Sequence, residues 1–301
     1  MSRIETSSSN AEANVKASWF GWNRSDLLLI STSIYYLTFL IVPSIAFCVV
    51  SFYGKSDSGF YDGIFTARNY ISILSDRFYL GSLWLTLRIS LETTVFCLLL
   101  GYPAAYFLSK LSSKARKRLI ILLLFPLLLS TVIRVYGWIA LLARRGLINQ
   151  LLFAAGWTTG PVPLLYNEMT VLMGLTSILL PYMIINITNT LITIDPALRE
   201  AAAIHGAPPA RIFFFVTLPL SRAGVISGAV TVFTIAMSTY IISFLLGGPR
   251  VKLIGNLIFD ATSSFNWPLG AALSVVLVIT TMLSSFAMMQ LLSRESYGLN
   301  K

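Results

Sequence analysis

Six stretches of this chain, at 27–52, 78–108, 119–143, 168–192, 223–246 and 268–292, are apolar almost throughout. Each supplies the roughly 20 residues that a helix needs to cross about 30 Å of hydrocarbon at 1.5 Å per residue. A run of that kind must satisfy every backbone polar group internally, which leaves helices as the structure for all six. The rest of the composition agrees. Of 301 residues 56% are hydrophobic and only 11% charged, against about 25% charged in an ordinary soluble domain, and the mean hydropathy is +0.77. There is too little polar surface for a water-soluble fold and too much apolar sequence for disorder. The class expected is an all-α integral membrane protein with six transmembrane helices. Residues 1–26 form an N-terminal tail, 27–292 the membrane domain and 293–301 a C-terminal tail.

The first run is longer than the roughly 7–15-residue core of a secretory signal peptide and has no small-residue cleavage site after it, so it reads as a retained span. Cys48 and Cys97 both fall in apolar runs and read as small buried hydrophobes, neither a disulfide nor a metal site. With His205 as the single histidine, a His-rich metal cluster is excluded. The charge is +10, from 22 Lys and Arg against 12 Asp and Glu. Its distribution points to topology, not to nucleic acid. Thirteen basic residues lie on the segments that share a side with the N-terminus, seven lie on the opposite side, and Arg88 and Arg134 lie within spans. The positive-inside rule then puts both termini in the cytoplasm, and the basic run 110–118 reads as an anchor beside anionic lipid headgroups.

The segment 195–219, between the fourth and fifth spans, is the most informative. Asp195 suits an N-cap and Pro196 the first helical position, where a missing N–H costs nothing. The alanine-rich stretch after it predicts a short helix ending near Ile204. Gly206 supports a turn, Pro208 or Pro209 can open a second helix, and His205 reads as a turn or interface residue. Two short cytoplasmic helices with one small-residue surface result.

Glu200-Ala201-Ala202, Gly206, Leu218 and Pro219 fall at the spacing of the EAA signature, E-A-A-x3-G-x9-I-x-L-P, with Val216 at the isoleucine. On these residues the chain resembles the permeases of ATP-binding-cassette importers. The segments 133–138, 145–149, 180–181, 247–248, 253–256 and 267–270 look like the spermidine/putrescine permease branch. The resemblance implies the architecture of a type I importer permease in the bacterial inner membrane. It also implies a second, homologous permease subunit (a heterodimer), two ATP-binding subunits docked on the signature loop, and a periplasmic solute-binding protein. ATP and Mg would be used by the partner ATPase, and this chain would hold no cofactor. Glu200, Ala201, Ala202, Gly206, Leu218 and Pro219 are the residues implied for ATPase coupling. The solute implied is a polyamine or another small organic molecule. Where the polyamine branch is expected to carry an acidic residue ahead of the paired glycines, this chain has Phe244, with Ser243 beside it.

No motor or catalytic constellation is visible. Gly54-Lys55-Ser56 matches the end of a phosphate-binding loop, but Val49 stands where its earlier glycine is required, so it reads as a plain loop. With no triad and no paired carboxylates in a cleft, the chain is expected to catalyse nothing itself. A gradient-driven transporter or a channel, working without an ATPase, is the alternative class, and it leaves the signature spacing unexplained. Within the spans Arg88 and Glu92 are four apart and share a helix face, either as a neutralising pair or lining a cavity. Arg134, with Tyr136 and Trp138 nearby, either snorkels to the outer surface or lines the solute path. Tyr240, Ser243 and Phe244 complete the residues expected along that path. Gly224 and Gly228 form a GxxxG, read as helix packing or as a moving contact.

Overall fold

The computed structural model describes residues 24–56 and 60–294, so most of both tails lies outside the described residues. The chain divides into two units between Val50 and Ser51. The first contains one helix, α1 (Arg24–Val50), with Pro43 inside it. It is apolar on every side, as a membrane span should be. Cys48 on this helix is exposed, whereas Cys97 is buried. The expectation of two buried thiols therefore holds for one, because a helix apolar all round has no single inward face to bury a small side chain.

The second unit contains α2 (Arg68–Ser75), α3 (Arg77–Lys110), α4 (Ser113–Leu124), α5 (Thr131–Leu142), α6 (Leu147–Ala154), α7 (Glu168–Thr193) and α8 (Pro196–Ile204). It continues with α9 (Pro209–Leu220), α10 (Arg222–Ser238), α11 (Ile254–Ser263) and α12 (Trp267–Arg294). Its core is built by α3, α7 and α10. Ile89 and Cys97, Leu175, Met183 and Ile187, and Val232 and Ala236 are buried together there. A second cluster joins Ile73 of α2 to Phe233, Leu257 and Leu273 on α10, α11 and α12.

Close approach of the helices comes from small residues. A Cβ on Gly224 would lie 2.5 Å from Thr190 Oγ1 and 2.9 Å from the Asn186 carbonyl, and one on Gly228 2.8 Å from Met183 Sδ. The GxxxG is therefore a packing contact of α10 on α7. Three buried hydroxyls of α3 are satisfied inside their own helix: Thr86, Thr93 and Thr94 donate to the carbonyls of Ser82, Ile89 and Ser90 at 2.7–2.8 Å.

Four helices are long and apolar enough to span, and two bent pairs bring the number to six if each pair is one span. The spans expected at 78–108, 168–192 and 268–292 are continuous helices. The other two expected in this unit are not. The stretch 119–143 is broken after α4 by a 3₁₀ turn, Phe125–Leu128, containing Pro126, and the chain turns by 88° before α5. Proline cannot donate to the helical ladder and its ring crowds the preceding turn, which ends α4 there. The stretch 223–246 stops as a helix at Ser238, because Thr239 is extended (ψ 132°). It resumes as a wide π turn over Ser243–Gly247. At the break the Thr239 hydroxyl donates back to the Ile235 carbonyl at 2.8 Å.

Candidate functional site

The signature loop is built almost wholly from local rules. Asp195 caps α8 by accepting from the Ala197 amide at 2.9 Å, with Pro196 at the first helical position. At the other end, Gly206 N–H donates to the Ala203 carbonyl at 2.9 Å and Ala207 N–H to Ala202 at 3.1 Å. This is the Schellman pair of bonds, and it requires the left-handed backbone that Gly206 adopts (φ +77°). A Cβ there would touch nothing, so the demand for glycine is conformational and not steric. No residue of α8 is buried. Glu200 and Ala201 are exposed and Ala202 is half-buried. Ile204 is 84% exposed. A cavity of about 480 Å³ opens beside the helix between Ala202, Ala207, Arg211, Phe215 and Val216.

The other two signature residues sit at the root of the loop. Pro219 has no N–H for the carbonyl four residues back, and the turn ahead of it widens: Leu218 N–H donates to Phe213, five residues back, making the π turn Phe213–Thr217. Leu218 and Phe213 pack on the main core, with the Phe213 ring edge-on to Tyr102 and Tyr106 at 5.6 and 5.3 Å. The Tyr102 hydroxyl meets Ser221 Oγ at 2.8 Å. From there α10 leaves at a 61° bend. The signature thus divides into an exposed group (Glu200, Ala201, Ala202, Gly206) and a hinge-side pair (Leu218, Pro219).

The residues expected on the solute path fall in three places. Arg134 and Trp138 line a cavity of about 930 Å³ walled by Phe107, Leu122, Pro126 and Pro181. Trp138 Nε1 donates to Ser177 Oγ at 3.0 Å. Arg134 reaches Thr131 Oγ1 at 3.3 Å, and its Nε is buried with no hydrogen-bond partner among the described residues. Tyr136, two residues on, is exposed and does not line this cavity.

Glu92 lies 3.7 Å from Arg88, as the four-residue spacing requires. Arg88 also pairs with Glu168, the first residue of α7, so one guanidinium stands between two carboxylates. The sequence reading missed Glu168, because an acid in the first turn of a helix is ordinary.

Tyr240, Ser243 and Phe244 lie around the break in the fifth span. The Tyr240 carbonyl accepts from Phe244 N–H at 2.8 Å, Ser243 Oγ at 3.0 Å and Asn256 Nδ2 at 3.5 Å. Asn256 Oδ1 in turn accepts from Leu253 N–H at 3.1 Å and lies 2.5 Å from Ser243 Oγ. The single proton of that hydroxyl has these two oxygens, Asn256 Oδ1 and the Tyr240 carbonyl, as alternative acceptors. Ile254 N–H reaches Thr86 on α3 at 3.0 Å. Asn256 is only 3% exposed. It ties the start of α11 to the turn at Tyr240–Ser243, and Ser243 is spent on holding it. The Phe259 ring stacks on Tyr240 at 5.2 Å and meets Phe244 at 5.9 Å.

Beside these rings a pocket of about 270 Å³ is lined by Phe244, Gly248, Pro249, Lys252, Asn256 and Asp260. Lys252 Nζ lies 2.6 Å from Asp260 Oδ2, with the two side chains 39% and 43% exposed. A pair this exposed contributes at most about 1 kcal/mol to stability. Phe259 and Asp260 escaped the sequence reading, and Asn256 entered it only within the segment 253–256 and without a role, because α11 looks like a simple connection between spans.

A family model described as binding-protein-dependent transport system inner membrane component matches residues 97–294. The chain is 35% identical over 249 residues to the spermidine/putrescine transport system permease protein PotB of Haemophilus influenzae, covering 82% of this chain and 87% of that one. It is also 35% identical over 242 residues to PotB of Escherichia coli K12, covering 80% and 88%. Among solved structures, a chain of the bacterial alginate ABC transporter in complex with an alginate pentasaccharide-bound periplasmic protein superposes with a TM-score of 0.73. It shares 17% identity and covers 96% of this chain and 98% of that one.

Proposed function

Because the chain belongs to the family of binding-protein-dependent transport system inner membrane components, we propose that it forms half of a solute path for polyamines and couples that path to cytoplasmic ATPases. It is an inner-membrane permease of the ABC importer type. The finer assignments are our reading. One similar permease subunit would complete the path, two ATP-binding subunits would dock on the 195–219 loops, and a periplasmic binding protein would deliver solute. Both termini would lie in the cytoplasm, as the basic residues favour. ATP and Mg would be used only by the partner ATPase, this chain catalysing no reaction.

The observation that carries the coupling role is α8. It is a helix fixed at both ends by its own caps, with no residue buried, and presents Glu200 and small side chains outward. A folded helix that contributes nothing to its own core is shaped for another surface. Docking there in one nucleotide state and not in the other would bias the spans between two arrangements, which is alternating access by differential stabilisation. Spermidine or putrescine is favoured as solute by 35% identity across four-fifths of the chain to permeases named for these compounds.

ATP-driven uptake of labelled spermidine into proteoliposomes holding the full complex and its binding protein tests both parts, with anionic and zwitterionic solutes run alongside. Spermidine uptake that disappears on Glu200→Ala, with the permease still inserted, is the expected result. Uptake unaffected by that substitution would sink the coupling role, and ATP-driven uptake of only another solute would move the substrate.

A further inference from the structure

The Lys252–Asp260 pair lines a pocket beside aromatic rings, and nothing above assigns it a role. We propose that it is an exchange site for one end of the transported amine: the terminal ammonium of a diamine or polyamine takes the place of Lys252 on the Asp260 carboxylate. This rests on the polyamine reading above.

Four observations lead there. First, a lysine side chain is itself a four-carbon alkyl ammonium, the same group that ends putrescine and the longer arm of spermidine. At 2.6 Å the protein already sets one such ammonium on the Asp260 carboxylate at the pocket wall. Second, the pair is weakly held. Both side chains are partly exposed, and one bond from Nζ leaves most of the carboxylate's acceptor capacity unused. Third, the surroundings suit a cation with an apolar stem and no other charge type. Phe244, Gly248 and Pro249 line the pocket, and Phe244 belongs to the ring cluster with Phe259 and Tyr240. Aromatic faces attract an ammonium and cover methylenes. Asn256 has already committed its amide group to Ser243, Leu253 and Tyr240. Fourth, Asp260 stands at the start of the last turn of α11 (Ile254–Ser263), where the negative end of the helix dipole adds to its charge. At about 270 Å³ the pocket lies just below the roughly 300 Å³ at which ordinary small-molecule sites begin. A slender chain end fits, and a bulky solute does not.

Lys252 would then act as a resident competitor that keeps the carboxylate covered until solute arrives. The signature is a pair of opposite signs: removing the lysine strengthens amine binding and removing the carboxylate weakens it. Equilibrium binding of labelled spermidine to the purified full complex, without the binding protein, reads this directly. Lys252→Met is expected to tighten binding several-fold and Asp260→Asn to loosen it about tenfold, and Lys252→Met should have no effect once Asp260→Asn is present, the mark of coupled residues in a double-mutant cycle. Yield and monodispersity of each complex exclude misfolding.

A bridge that merely holds the segment together predicts that both single variants weaken binding alike; that result, or no change in either, overturns the exchange site. Wild-type uptake separates the two levels. Spermidine uptake with unresponsive variants removes this site and leaves the polyamine reading standing, whereas ATP-driven uptake of a different solute alone removes both.

Discussion

The two ends of the fifth span are irregular in opposite ways. Below it, the segment from Asp195 to Gly206 is secured by bonds that reach no further than five residues, from Asp195 to Ala197 and from Ala207 back to Ala202. Above it, Thr239 Oγ1 bridges the break locally to the Ile235 carbonyl at 2.8 Å. The segment that follows, however, is held by partners more than a dozen residues away, Asn256 on Ser243 and Ile254 on Thr86, which sits on another span altogether. The lower segment is a self-sufficient part exposed on one face. The upper one exists only in the assembled bundle. Local caps would suit a piece that keeps its shape whether or not the proposed ATPase is docked on it. Long-range bonds suit a piece whose shape should depend on the arrangement of the spans.

The sharpest way to break this comparison is at Gly206. Valine there faces no neighbour but must adopt φ +77°, a strain of about 1–3 kcal/mol. ATP-driven uptake should fall to background while insertion and the upper segment stay normal. Uptake above half of wild type would show that the Schellman turn is dispensable. Asn256→Ala makes the reverse cut. It leaves the buried Leu253 N–H without its acceptor and the Ser243 hydroxyl with only the Tyr240 carbonyl, at a cost of about 1–3 kcal/mol. Amide exchange should rise across 239–256 and not across 195–206; equal change in both would end the distinction.

The bundle between the two ends offers a finer contrast. Gly224→Ala meets the Asn186 backbone carbonyl at 2.9 Å, whereas Gly228→Ala meets the mobile end of Met183. Thermal unfolding should show a loss of about 1–3 kcal/mol for the first and clearly less for the second. The smallest effect is expected for Asp195→Ala, about 1 kcal/mol of local helix stability from a lost cap. Uptake should drop by less than about twofold, since Pro196 and the Gly206 turn still bound the helix.

The same contrast explains what could be read from the sequence. Asp195, Pro196, Gly206 and Pro209 carry their structural meaning in their own conformational limits, so the loop was legible residue by residue. The continuous spans were legible for the same reason, because length and apolarity decide them. Pro126 was visible too, but an apolar run says nothing about how far the chain turns at a break, and the 88° bend was not foreseen. Asn256 gives no local sign that its amide will meet the Ser243 side chain thirteen residues earlier. Glu168 and Asp260 likewise acquire their meaning from Arg88 and Lys252, and pairs of that kind exist only after packing.

The 61° bend at Ser221 has a mechanical consequence. Two rods joined at that angle transmit a displacement of the first mostly across the axis of the second and less along it. A push along α9, were the proposed coupling to deliver one, would therefore go mainly into tilting α10, with sliding the minor component. The buried Tyr102–Ser221 contact sits at the joint, where a pivot belongs. Tilt about a pivot at one end is largest at the other, so the greatest excursion of α10 falls at Ser238, next to the break that carries Tyr240 and Phe244.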